Sequence, residues 1–164
     1  MLPALPLLLL VMFQLSSPQF ENGALLPAQL AYNRGGCTGR NIAPALAWSG
    51  APQNARSLAL VVFDPDAGHG SGWTHWIAYG IDPAKTSLAA GAPIPREGKN
   101  SWGRAAYDGP CPPPGDPPHH YVFTLYALDL APDALKPGLK RDAFLTAIQG
   151  HVLGTAELTG RFGR

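Results

Sequence analysis

Charge is what this sequence has least of. Asp, Glu, Lys and Arg make up 14% of its 164 residues, and the net charge at pH 7 is +1. A chain so nearly neutral offers no electrostatic footprint for nucleic acid or an anionic membrane. Cysteine is also scarce. The two present, Cys37 and Cys111, lie too far apart for a CxxC zinc or redox motif. They read either as two buried free thiols or as one disulfide tying an early loop to a late one, and spacing does not choose between them. No HxH, HxxxH or HExxH spacing is present to support a metal site, and no GxSxG to support a serine nucleophile. Long apolar runs are missing as well. Met1 to Met12 is apolar throughout but too short to span a bilayer as a helix, and nothing later in the chain is long enough. That stretch resembles the apolar part of an export signal, yet no Lys or Arg precedes it and no small-x-small cleavage site follows. The expectation is therefore a tail over 1–12, a single domain over 13–164, and a cytoplasmic location, with a periplasmic or secreted one as the alternative.

Glycine and proline are abundant instead, at 19 and 18 residues, and the hydrophobic share is 46%. Many turns joining short strands is the economical reading. Ser57-Leu-Ala-Leu-Val-Val-Phe63 is short and apolar on both faces, as a central buried strand should be. It stops at Asp64-Pro65-Asp66, because Pro65 has no N–H for a sheet ladder. Asp64 shares the period-2 face of Leu60 and Val62. A carboxylate that continues a buried face is costly unless something donates to it.

Two further strong strands follow. In Trp73–Ile81, period 2 puts His75 with Ile77 and Tyr79 on one face and Thr74, Trp76 and Ala78 on the other. In His119–Leu128, His119, Tyr121, Phe123 and Leu125 share a face. Weaker strands are expected over Phe13–Phe20, closed by Pro18, over Leu46–Trp48, and over Ala156–Gly160. One helix is expected near 140–152, from Phe144, Ile148 and Val152 at four-residue spacing with Leu145 beside them. Lys140 or Arg141 caps it poorly, and Gly154 is placed to end it. Between the last two strong strands, Tyr107–Pro118 contains six prolines and forms a stiff loop.

Asp64, Asp66, His75, His119 and Tyr121 all stand at strand mouths beside Gly/Pro-rich loops. Imidazoles, a phenol and loop N–H groups suit an oxyanion, and a carboxylate can orient an imidazole. The competing readings are a two-His, two-carboxylate metal site built from Asp64, Asp66, His75 and His119, and ordinary core packing of each residue by itself. Ser71 and Ser101 have no motif to activate them. His69 and His151 read as surface residues, and Trp73, Trp76 and Trp102 as core or pocket wall.

Taken in order, Asn41-Ile-Ala-Pro44, Leu46-Ala-Trp48, Asp64-Pro-Asp-Ala67, Trp73-Thr-His-Trp76, Gly109-Pro-Cys-Pro-Pro113 and His119-His-Tyr121 resemble the phosphatidylethanolamine-binding protein family, most of all its bacterial and archaeal Raf-kinase-inhibitor-like branch. The resemblance runs from about Phe13 to the C-terminus. It implies a mainly β fold, an antiparallel Greek-key-type β-sandwich with a few short peripheral helices. It also implies a small pocket for phosphate-type anions, such as a phospholipid headgroup or a phosphorylated ligand, with no catalysis and no cofactor. The pocket residues it implies are Asp64, His75, His119 and Tyr121, with loop positions Gly109, Cys111 and Pro112. Partners implied by the family are lipids, or a kinase or serine protease that the protein would inhibit; a metal-dependent hydrolase is the reading from another class. Two departures stand out. Gly68 replaces a proline after Asp-Pro-Asp-Ala, which loosens that loop. His120 replaces an arginine and should point away from the pocket, which puts a salt bridge there in doubt.

Overall fold

The computed structural model describes residues 11–164. Of the apolar N-terminal stretch only Val11 and Met12 are therefore described, and both are exposed. The strands are β1 (Gln14–Ser16), β2 (Leu46–Ser49), β3 (Ser57–Asp64), β4 (Trp73–Ile81), β5 (Ser87–Leu88), β6 (Arg96–Glu97), β7 (His119–Leu128) and β8 (Val152–Phe162), with helix α1 (Arg141–Ile148) between β7 and β8. They form two antiparallel sheets. The larger runs β6-β4-β3-β7-β8 and the smaller β1-β2-β5. Strand β3 lies at the centre of the larger sheet, as its unbroken apolar run requires.

The even positions of β3, Leu58, Leu60 and Val62, pack with Phe123 and Leu125 of β7 and with Leu15, Leu46, Trp48 and Leu88 of the smaller sheet. This layer is the interior of the sandwich. The odd positions Ala59 and Val61 face the other way and join Ile77, Tyr79, Phe144 and Ile148 in a second cluster. Helix α1 covers the outer face of the larger sheet there. Both faces of β3 are thus dry, each buried Leu or Val contributing about 1.5–3 kcal/mol of transfer free energy.

The chain end differs from expectation. Helix α1 stops at Ile148 rather than running to 152, and Gly150 turns the chain with φ +80°. Val152 opens β8 and is exposed, although its four-residue spacing had joined it to the helical stripe. Gly154, expected as a helix stop, lies inside β8 opposite Ala127. Pairing with the whole of β7 draws β8 out to eleven residues, so cross-strand hydrogen bonding overrides the local period. As expected, Lys140 supplies no side-chain cap to α1.

Cys37 and Cys111 are joined, with Cα atoms 5.9 Å apart, and this resolves the two thiol readings in favour of a disulfide. The bond closes a loop spanning a sequence separation of 74 and ties the stiff 107–118 loop to the Gly-rich segment before Asn41. Replacing both cysteines with serine should cost about 4 kcal/mol on the chain-entropy model. Urea unfolding of Cys37→Ser/Cys111→Ser beside the wild type measures it. Equal midpoints would show that the bond constrains little in the unfolded chain.

Candidate functional site

The buried carboxylate at the end of β3 has found its donors. Asp64 is 2% exposed. Its Oδ1 accepts the backbone N–H groups of Asp66 at 2.8 Å and Ala67 at 3.1 Å, so the Asp-Pro-Asp segment folds back on its own first side chain. Its Oδ2 accepts from His119 Nδ1 at 2.7 Å. The other ring nitrogen, His119 Nε2, lies 3.2 Å from Asp116 Oδ2. Carboxylates face both ring nitrogens, so both carry protons when the contacts are made. Burial opposes that charge, but the hydrogen bond and charge of Asp64, with Asp116 and Asp66 behind, raise His119 above the ordinary histidine value.

His75 is held differently. Its Nδ1 donates to the Asp108 carbonyl at 2.7 Å, because a carbonyl can only accept. The neutral ring therefore carries its lone pair on Nε2, which has no partner among the described residues. Burial pushes His75 below the ordinary histidine value, and the Asp108 carbonyl and Asp64 only partly offset this. One pocket thus holds two imidazoles with opposite tendencies, where residue type alone suggested two similar ones.

Period 2 also misplaced His75. It had put His75 with Ile77 and Tyr79, on the face that α1 covers. The pairing of β3 with β4 shifts register between Val62/Trp76 and Phe63/Thr74, which leaves His75 as the extra residue of a bulge. Its ring packs edge-on against Tyr121 at 5.1 Å and Trp102 at 5.3 Å, on the sandwich side. Without that bulge the imidazole would belong to the outer cluster.

Tyr121 follows the expected alternation and is 1% exposed. Burial first, then Asp64, pushes its phenol up, so it remains a neutral donor at any physiological pH. Asp64, His75, His119 and Tyr121 line a cavity of about 500 Å³, with Cys111 and Pro112 on its rim and Asp66, Trp73, Trp102 and Asp116 on its wall; His69, read from the sequence as a surface residue, also borders it. Gly109 is not on that wall. It lies behind the loop, where a Cβ would strike the Leu30 carbonyl oxygen, and its role is close backbone approach.

Several residues that hold the site carried little sequence signal. Asp108 is fully buried, and its carboxylate accepts from Asn41 Nδ2 at 3.2 Å and Asn100 Nδ2 at 2.8 Å, while its backbone binds His75 on both sides. Asn41, at φ 53°, also accepts the Gly109 N–H at 2.8 Å. These three side chains seat the proline loop against β4. Asp66 stands on the wall of the same cavity and pairs with His120 Nδ1 at 2.8 Å, and the His120 N–H, at 2.7 Å, holds Asp66 below the usual carboxylate range. The contact put in doubt at position 120 is thus made by histidine on the outer face. Asp64, Asp66, His75 and His119 line one cavity, but Asp64 is engaged by His119 and two backbone N–H groups and Asp66 by His120. Among the described residues no group of three or more His, Cys, Asp or Glu is placed to hold a metal ion. No helix among them is long and apolar enough to cross a membrane.

Comparison with known proteins agrees with this fold. The family model described as phosphatidylethanolamine-binding protein matches residues 16–163. A UPF0098 protein of Methanothermobacter thermautotrophicus is 45% identical over 135 residues, covering 78% of this chain and 87% of its own. LppC of Mycobacterium tuberculosis, named as a candidate lipoprotein, is 45% identical over 151 residues, covering 90% of this chain and 71% of its own. The crystal structure of YbcL from Escherichia coli, described as a new member of the mammalian family of this name, superposes with a TM-score of 0.86 at 34% identity over 93% of this chain and 98% of that one.

The two imidazoles should titrate apart. In an NMR titration His119 should lose its proton above pH 6.5 and His75 below it. Stability follows the same signs. The His119 contribution is complete below pH 6.5 and is lost as pH rises through its raised value; the His75 contribution is present above 6.5 and is lost as pH falls through its depressed value. Asp64→Asn should bring the His119 titration down. Coincident titration of both rings in the wild type would contradict the hydrogen-bond assignment.

Proposed function

The chain belongs to the phosphatidylethanolamine-binding protein family, and from that premise we propose that it is a non-enzymatic binding protein whose pocket takes the phosphate-type group of a small ligand or a phospholipid headgroup. The observation that carries the reading is a cavity of about 500 Å³ walled by buried polar side chains, one of which, His75, has a ring nitrogen free to engage a ligand. His75 Nε2 accepts from a protonated phosphate oxygen, or donates to an unprotonated one after taking up a proton. Tyr121 supplies a phenol. Asp64 orients His119 and balances its charge.

Asp116 supports the same reading from another direction. Its carboxylate oxygen already rests on His119 Nε2, which supports an oxyanion at this point. Asp116 is half-exposed and belongs to a loop, and it can give way to a ligand oxygen. It is then a competitor as well as a stand-in.

The disulfide supports residence in an oxidising compartment, where such bonds persist. The designation of LppC points the same way. The cytoplasmic expectation drew on the leader, most of which lies outside the described residues. We therefore propose that the protein resides outside the cytoplasm.

Isothermal titration with phosphate and with phosphoethanolamine, at pH 5.5 and pH 8, tests the pocket. Affinity should rise toward the acid end, because His75 must gain a proton to donate from both nitrogens; a single coupled proton gives at most about tenfold per pH unit. His75→Ala should weaken binding. Asp116→Ala should strengthen it by removing the internal competitor. Affinity that is flat from pH 5.5 to 8 and indifferent to His75→Ala would remove the pocket from consideration.

A further inference from the structure

We propose that the chain carries a second anion site, in the cleft between the start of α1 and the loop that follows β6. The cleft encloses about 480 Å³. Phe63 and Trp73 form its apolar side, and Lys99, Lys140 and Arg141 its charged side. It shares only Gly68 and Trp73 with the pocket of Asp64 and His119, so it is a neighbour of that pocket and not part of it.

The cations are placed at a cost. Lys99 and Lys140 pair in a parallel β-bridge, so two ammonium-bearing side chains leave adjacent positions, and Arg141 comes next in the chain. Like charges side by side repel unless a counter-charge lies between them. Among the described residues neither lysine makes an ion pair. The one acid on the wall, Asp142, is 98% exposed and reaches Arg141 only at 3.8 Å. The concentration of positive charge is conspicuous in a chain with so few charged residues and a net charge of +1.

Hydrogen bonding gives an independent sign. Among the described residues, two side-chain nitrogens fully withdrawn from solvent lack a partner, Trp73 Nε1 and Arg141 Nε, and both belong to residues that line this cleft. Unmet buried donors are uncommon in folded proteins, and these two belong to residues on facing sides of the cleft. The first turn of α1 adds backbone donors, since Lys140 gives it no side-chain cap. The Arg141 guanidinium is already held, 4.0 Å over the Phe63 ring.

Three cations, unmet donors and an aromatic wall select a small organic anion. Its phosphate or carboxylate group lies among Lys99, Lys140 and Arg141, and its flat apolar part packs on Trp73, beside the Phe63 ring that Arg141 covers. The cleft is too large for a bare phosphate ion to fill, so the apolar part contributes to binding.

Titration of the ¹⁵N-labelled full chain with phenyl phosphate, benzoate and the neutral analogue benzyl alcohol tests this site separately from the first. Phenyl phosphate, with or without benzoate, should saturably shift the amides of Arg141, Asp142 and Ala143, none of which borders the first pocket. Lys99→Gln/Lys140→Gln, which alters two exposed side chains, should weaken those shifts about tenfold. His75→Ala should leave them unchanged, whatever it does to the first pocket. First-turn amides that stay still at millimolar phenyl phosphate would overturn the proposal. So would an unchanged midpoint in the double variant, or equal binding of benzyl alcohol.

Discussion

Asp64 is the constraint on which the rest of the site depends. It continues the buried face of β3, where an unpaired carboxylate would be costly. Three donors answer it: two backbone N–H groups just past Pro65, and the His119 ring from the neighbouring strand. The first two shape the turn that brings Asp66 to His120 at the cavity's edge. The third places a charged imidazole at the pocket floor. One buried charge thus organises a loop, a strand pairing and a binding surface together.

A second buried carboxylate works on the opposite wall. Asp108 has no contact with the cavity, yet it holds Asn41, Asn100 and His75 at once. Its carbonyl decides which nitrogen of His75 carries the proton, and so which one is offered to a ligand. The disulfide then pins the same loop three residues further on, at Cys111. The proline-rich rim is stiff because of its own composition, but its position comes from these contacts.

The two histidines show how environment divides residues of one type. His119 sits between carboxylates and is raised; His75 is buried against a carbonyl and is lowered. A site built this way holds one imidazole biased toward its protonated form and one biased toward its neutral form.

Much was legible in the chain itself. The unbroken apolar run of 57–63 marked the central strand, Pro65 marked its end, and the boundaries of β4 and β7 follow from period 2 and flanking loop residues. The alternation of β7 placed His119 and Tyr121 on the pocket face and His120 outside, and the ordered motifs named the family. What only the tertiary structure decided depends on partners distant in sequence. The bulge that turns His75 into the pocket arises from a register shift against β3, which no local period encodes. The length of β8 is set by pairing with β7, against a helical spacing that includes Val152. The choice between disulfide and free thiols required two loops to meet across a separation of 74. Asp108, Asn100 and Asp116 became site residues through hydrogen bonds alone, and a hydrogen-bond partner is a fact of three-dimensional proximity rather than of residue type.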